Sequence, residues 1–281
     1  MSYSKIKSYA KLNLALNIVG KKNSLHTIES IISFVNLHDV ILIKKIKSKN
    51  HVISFSGKFS KNISKNNTVF KLLKILERKK LLKNKKFKIK IIKKIPNKAG
   101  LGGGSMNAAS VFKFFIKKKI IYVSKKEIAE ISGLIGSDVI LGLNQKSAIL
   151  NSKNQIQYFN NIKKFYTLIV KPNFGCSTRE IYSKVKNFNK KILNRPKKKM
   201  FNFDYLKRMS NDLEIISFSK YPKLKNIKSY LENSLDPIFV RMSGSGSALV
   251  AYFQSKKRCV HAKKRFNKEY KNYWCIASKT I

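Results

Sequence analysis

The segment Pro96-Asn97-Lys98-Ala99-Gly100-Leu101-Gly102-Gly103-Gly104-Ser105 interrupts a lysine-rich chain with four glycines in five positions. Glycine lacks a Cβ, so it takes up positive φ and lets backbone approach a ligand closely. Before the loop, Phe87, Ile89 and Ile91 alternate with lysines, which predicts a half-buried strand ending near Pro96. After it, Ala109, Phe112 and Ile116 recur at helical spacing and predict a helix over 105–116. A strand, a glycine loop and a helix in that order aim free N–H groups and the helix dipole at an anion. Phosphate is the natural guest. The loop is not a Walker A motif, because no G-x-x-x-x-G-K-[ST] occurs. It is not a dinucleotide fingerprint either, because Ser105 stands where a third glycine is needed. A flexible turn without a ligand is the plain alternative.

Working outward, strand and helix signals alternate along the whole chain. Strands are expected over 39–47 and 51–56. Asn66 or Asn67 can cap a helix whose apolar stripe is Val69, Leu72, Leu73 and Leu76. Ser124-Lys-Lys-Glu127 is a capping box opening a helix with Ile128, Ile131 and Leu134 on one face. Further on, the pattern predicts a strand over 165–171 and an amphipathic helix over 203–218. It then predicts a helix starting at Pro222 and a strand over 247–253. A basic helix over 255–270 and a last strand over 274–278 close the chain. The polar, Asn-rich stretch 151–164 suggests two domains, 1–155 and 156–281.

Composition narrows the class. No apolar run approaches the roughly 18 residues of a membrane span, and no apolar leader is visible, so a cytoplasmic protein is expected. Cys176, Cys259 and Cys275 lack C-x-x-C spacing and read as three reduced thiols, not as a metal site. The balance of 61 basic against 13 acidic residues gives +48. The lysines are spread over the chain and accompany abundant Asn, Ile, Phe and Tyr, which points to drift toward A/T-rich codons. A dedicated nucleic-acid face would concentrate them. No specific nucleic-acid partner is therefore expected, although the field attracts anionic nucleotides.

The glycine loop resembles the phosphate-binding motif of the GHMP kinases, Pro-x-x-x-Gly-Leu-Gly-Ser-Ser. Two further segments match that superfamily in order: Ala10-Lys11-Leu12-Asn13-Leu14 and Met242-Ser243-Gly244-Ser245-Gly246-Ser247. With His26, Glu29 and Ile135-Gly-Ser-Asp138-Val139, the likeness is strongest to the branch acting on a cytidine-diphosphate-linked methylerythritol. The resemblance implies an α+β, two-domain fold, with an N-terminal domain like ribosomal protein S5 domain 2 and a ferredoxin-like C-terminal domain. It implies a kinase using ATP, with Mg2+ accompanying the nucleotide, and a monomer or homodimer.

The resemblance also implies roles. Asp138 would be the base that takes the acceptor's proton, with Lys11 as its partner stabilising charge during transfer. Pro96, Ala99, Gly100, Leu101, Gly102, Gly103, Gly104 and Ser105 would hold ATP. Asn67 would contact adenine or simply cap its helix. Asn13, His26, Thr178, Tyr182, Ser243 and Gly244 would meet the acceptor, with Tyr182 stacking on cytosine. A carboxylate in an apolar stretch is costly unless it has a partner or a task; without the family, Asp138 reads as a helix-terminal or turn aspartate and Lys11 as one basic residue among many. The chain departs from the family at Leu25, where Tyr is usual, and at Ile140, where Pro is usual. Ala148-Ile-Leu-Asn-Ser-Lys153 also replaces a Gly-x-Gly-Glu turn. Homoserine, mevalonate or a sugar is the alternative acceptor, and a non-catalytic nucleic-acid-binding protein on the same fold is the other class.

Overall fold

The computed structural model describes residues 2–23 and 25–281. It opens with two long paired strands, β1 (Ser4–Lys22) and β2 (Leu25–Ile46). By its internal contacts the chain divides into two compact units. The first comprises Met1–Lys11, Leu37–Asn97 and Gly102–Gln145; the second comprises Leu12–Asn36, Lys98–Leu101 and Lys146–Ile281. The expected division after 155 differs from this partition, because Leu12–Asn36 and Lys98–Leu101 group with the C-terminal part. Hydrogen bonding within the second unit explains it: Ala99 O accepts from Ala248 N at 3.2 Å, and Gly100 O from Ser243 Oγ at 3.0 Å.

In the first unit, β3 (Val52–Ser56), α1 (Thr68–Arg78) and β4 (Lys86–Ile92) form a crossover in which β3 and β4 run parallel. Val40–Ile46 of β2 pairs antiparallel on the other side of β4. Asn67 caps α1, its Oδ1 accepting from Val69 N at 3.1 Å and Phe70 N at 3.0 Å. The stripe Val69, Leu72, Leu73 and Leu76 is buried, each leucine contributing about 1.5–3 kcal/mol. Helix α2 (Gly103–Lys117) starts two residues earlier than expected and supplies Ala108, Val111, Phe112 and Phe115 to the same core. Helix α3 (Lys125–Ile135) opens with the expected capping box. Leu134 is 60% exposed, a correction to its expected burial. Ile131 and Ile135 carry the buried face, and Leu134 sits about 100° off Ile135. The short α4 (Val139–Leu143) lies tight on α2, since a Cβ on Gly142 would stand 2.6 Å from that of Ala109.

The second unit begins with β5 (Ala148–Leu150) and β6 (Ile156–Tyr158), with Ser30–Ile32 of β2 paired to β5. A β-α-β-β-α-β run follows: β7 (Tyr166–Lys171), α5 (Thr178–Ser183), α6 (Phe203–Arg208), α7 (Leu213–Lys220), α8 (Pro222–Ser234), β8 (Phe239–Met242), β9 (Leu249–Phe253), α9 (Lys256–Glu269) and β10 (Trp274–Lys279). The strand order is β10-β7-β9-β8, all antiparallel, or 4-1-3-2 counted from β7. That is the ferredoxin-like order. Leu168, Val170, Leu249, Ala251 and Phe253 meet Leu224, Ile227 and Leu231 of α8 and Phe266 of α9 in one core. The single helix expected over 203–218 is two helices. Between them Asn211 turns its side chain away, donating to Met242 O at 2.8 Å and Gly244 O at 2.7 Å. At the edge strand β8, Met242 N donates to Glu214 Oε1 at 2.7 Å.

Candidate active site

In the first unit the glycine loop delivers its last residues to the start of α2. Gly102 caps that helix in the left-handed region (φ 67°), a conformation glycine takes without strain. Gly103 and Gly104 form the first turn, where backbone N–H groups have no partner inside the helix. Gly104 O accepts from Thr68 Oγ1 at 2.6 Å, which ties the turn to the start of α1. Lys11 packs its stem against Gly102, with Cβ and Cε 3.4 and 3.5 Å from where a Cβ would stand. Its ammonium lies 3.0 Å from Asp138 Oδ2. The lysine side chain is buried, whereas that of Asp138 is 34% exposed. Asp138 occupies the N-cap position of α4 yet its carboxylate makes no capping bond there. Gly136 faces Ser105, whose Oγ would be 3.8 Å from an added Cβ. The sequence thus named a lysine, a carboxylate and a glycine turn that the first unit brings together. Asn67 differs: its oxygen caps α1 and its amide donates to Ser64 O and Lys65 O, which uses the whole group.

In the second unit the middle of the loop, Lys98–Leu101, is keyed into the turn Ser243–Gly246. Gly100 has φ +74°, and a Cβ on it would overlap Ser243 O; a Cβ on Gly246 would overlap Gly100 N. Backbone meets backbone at both glycines. Ser243 is fully buried and donates to Gly100 O at 3.0 Å while accepting from Asn13 N at 3.3 Å. Ser247 Oγ reaches Phe174 O at 3.0 Å. The third motif therefore braces the glycine loop, and Ser243 offers its hydroxyl to the protein. Sequence reasoning missed this because packing between segments far apart leaves no local pattern.

The other residues expected on the acceptor side, Asn13, His26, Thr178 and Tyr182, also lie in the second unit. Asn13 Nδ2 donates to Ser30 Oγ at 2.8 Å, which in turn donates to Ala15 O, so the Asn13 side chain is held in one orientation. Thr178 starts α5, accepting from Ser245 Oγ at 2.9 Å. His26 stands 5.3 Å from the Tyr182 ring and 6.4 Å from the Phe188 ring, centroid to centroid. Burial, and then Lys21, push the His26 pKa below its ordinary value, which favours a neutral ring. Leu25 is 75% exposed and adds no aromatic wall. Phe188, 47% exposed in a stretch without regular structure, was not singled out from sequence. Its stretch is pinned by Asn189 N to Ile18 O at 2.8 Å, and by Ile192 N and Leu193 N to Glu29 Oε2 at 2.8 and 3.0 Å. An exposed phenylalanine close to two lysine-rich flanks was the available signal.

The comparisons with known proteins agree with this geometry. Residues 67–150 match the GHMP kinases N terminal domain, and residues 186–272 match the GHMP kinases C terminal. The chain is 59% identical, over the whole of both sequences, to the 4-diphosphocytidyl-2-C-methyl-D-erythritol kinase of Pelagibacter ubique (strain HTCC1062). It is 33% identical to the protein of that name from Petrotoga mobilis (strain DSM 10674 / SJ95), over 87% of this chain and 96% of that one. Among solved structures, a 4-(cytidine 5'-diphospho)-2C-methyl-D-erythritol kinase superposes with a TM-score of 0.79 at 21% identity, covering 99% of this chain and 100% of that one. A homoserine kinase from Cytophaga hutchinsonii superposes at 0.73 and 13% identity, covering 100% of this chain and 95% of that one; both likenesses speak to the fold.

Proposed function

The chain belongs to the 4-diphosphocytidyl-2-C-methyl-D-erythritol kinases of the GHMP family, and from that membership we propose how its residues perform the reaction. The enzyme transfers the ATP γ-phosphoryl group to the 2-hydroxyl of 4-diphosphocytidyl-2-C-methyl-D-erythritol, a step of the non-mevalonate route to isoprenoid precursors. The observation that carries the mechanism is the Lys11–Asp138 contact of 3.0 Å, with a carboxylate that makes no capping bond and a lysine packed on the glycine turn.

Phosphoryl transfer requires fixed donor phosphates, stabilised charge and an in-line hydroxyl. The first turn of α2 supplies N–H donors and the positive end of a helix dipole to the triphosphate. Asp138 accepts the proton of the 2-hydroxyl as the bond to phosphorus forms. Lys11 orients that carboxylate and stabilises negative charge gathering on the transferred group. Among the described residues no group of three or more His, Cys, Asp or Glu side chains could hold a metal. A magnesium ion, brought by the nucleotide, would supply neutralisation of phosphate charge. His26, Tyr182 and Phe188 recognise the cytosine ring, His26 through its edge and the aromatics through their faces. Asn13 and Thr178 hold the acceptor's polar groups. A cytoplasmic location follows from the family membership as part of this reading, and the three free thiols are in keeping with it.

The test is ADP release with the cytidine-diphosphate-linked acceptor set beside homoserine, mevalonate and a sugar. Turnover with the first and background rates with the others are expected; preference for one of the others would overturn the acceptor assignment. A second outcome concerns pH. His26 sits below the ordinary value of 6.5, so at pH 6.5 most of its rings are neutral. The rise in acceptor KM on acidification should be centred below pH 6.5, where the ring gains a proton and loses its acceptor nitrogen. A rise centred at or above 6.5 would remove neutral His26 from recognition.

A further inference from the structure

A second lysine–aspartate pair lies in the first unit, and nothing in the mechanism above uses it. Asp39, on β2, is fully buried. Four donors converge on its carboxylate. Oδ1 accepts from Lys94 N at 2.7 Å and Ile95 N at 2.8 Å; Oδ2 accepts from Lys93 Nζ and from Asn107 Nδ2 at 3.0 Å. Lys93 is 3% exposed and Asn107 likewise. Asn107 Oδ1 is buried without a hydrogen-bond partner, so this amide is held by its donor side alone. The pair therefore joins the exit of β4, which leads into the glycine loop, to the first turns of α2, which leave it.

The ammonium sits directly behind the phosphate turn. A Cβ on Gly103 would stand 3.3 Å from Lys93 Nζ and 3.0 Å from Ile95 Cγ2. Gly103 has no positive φ, so its need for glycine is one of space, and Lys93 and Ile95 take that space. Burying an ammonium is expensive unless a partner offsets the lost hydration. The chain has only 13 acidic residues, and one of them is set here, beneath the turn that receives phosphate. We propose that Lys93 and Asp39 are positioning residues for nucleotide binding. Lys93 places a fixed positive charge behind Gly102–Gly104, and Asp39 holds both the ammonium and the loop's entry strand in register. Lys93 does not touch the nucleotide; it acts through the turn and through the field it adds in a low-dielectric setting. The inference rests on the kinase reading above.

The experiment compares wild type, Lys93→Met and Lys93→Gln as full chains, by steady-state kinetics and by titration with ATP. Lys93→Met should raise the ATP KM and Kd about tenfold, with the acceptor KM within about twofold and kcat within about threefold. Lys93→Gln keeps a donor for Asp39 and should fall between that variant and wild type. A purely structural pair would lower the melting temperature and the active fraction while leaving both KM values unchanged. An ATP KM and Kd for Lys93→Met within about twofold of wild type overturns the proposal whatever the melting temperature does. Should Lys93→Met not fold, Lys93→Gln decides on the same criterion. Wild type that binds ATP but ignores the cytidine-linked acceptor would overturn the acceptor reading and leave this pair standing; wild type that binds no ATP would overturn both.

Discussion

Replacing Asp138 by asparagine should lower turnover about 100- to 10,000-fold and leave ATP affinity within about twofold of wild type. The amide has the carboxylate's shape and can keep one oxygen near Lys11, so the phosphate turn should be undisturbed. It cannot accept the hydroxyl proton. The split between the two readouts separates a chemical role from a structural one, because Asp138 makes no capping bond whose loss would unsettle α4. Single-turnover rates and an ATP titration check it. A variant with an unchanged rate would take Asp138 out of the chemistry.

Gly246→Ala should be among the most damaging small changes in the second unit. The new methyl would overlap Gly100 N and the Ala99 carbonyl carbon, and no side chain there can swing aside. Overpacking a core costs about 1–3 kcal/mol, and backbone against backbone belongs at the upper end. A cost of about 3 kcal/mol lowers the melting temperature by roughly 6–12 °C. ATP affinity should fall more than about tenfold, because the displaced partner is the phosphate loop itself. Gly133→Ala is the control. It lies inside α3, where an added Cβ meets nothing within 4 Å, so it should stabilise the helix by about 0.5–1 kcal/mol. Equal effects from the two substitutions would contradict the account of the brace.

Local features were the legible ones. The Ser124–Glu127 capping box, the α1 stripe and the alternation in β4 are each written within a dozen residues, and each formed as read. The first 46 residues were harder. In β1, Leu12, Leu14, Leu16 and Ile18 do alternate with Lys11, Asn13 and Asn17, but both faces of its middle are buried, so the alternation does not mark a wet face there. The helix break at Asn211 is set by carbonyls of Met242 and Gly244, more than 30 positions away. The site divided in the same way. Lys11, Asp138 and the glycines were named through motif spacing, whereas the brace by Ser243 joins residues 143 apart. Asp39 was within reach: it is a lone carboxylate among Leu37, Val40 and Ile41, and the reasoning that isolated Asp138 applies to it equally.

The edge of the four-stranded sheet has a consequence for solubility. An outer strand with free amides is a template on which another chain can add a strand. On β8 one such amide, Met242 N, is already taken by Glu214, whose other oxygen is held by Lys228 at 2.6 Å. Arg241 on the same strand is buried and gives its guanidinium to Leu206 O. The Glu214 side chain of α7 thus stands where a foreign strand would pair, and Lys228 of α8 holds it there. One edge amide of the strand that leads into the glycine-loop brace is thereby withheld from strand addition, even when charge repulsion between copies is screened by salt.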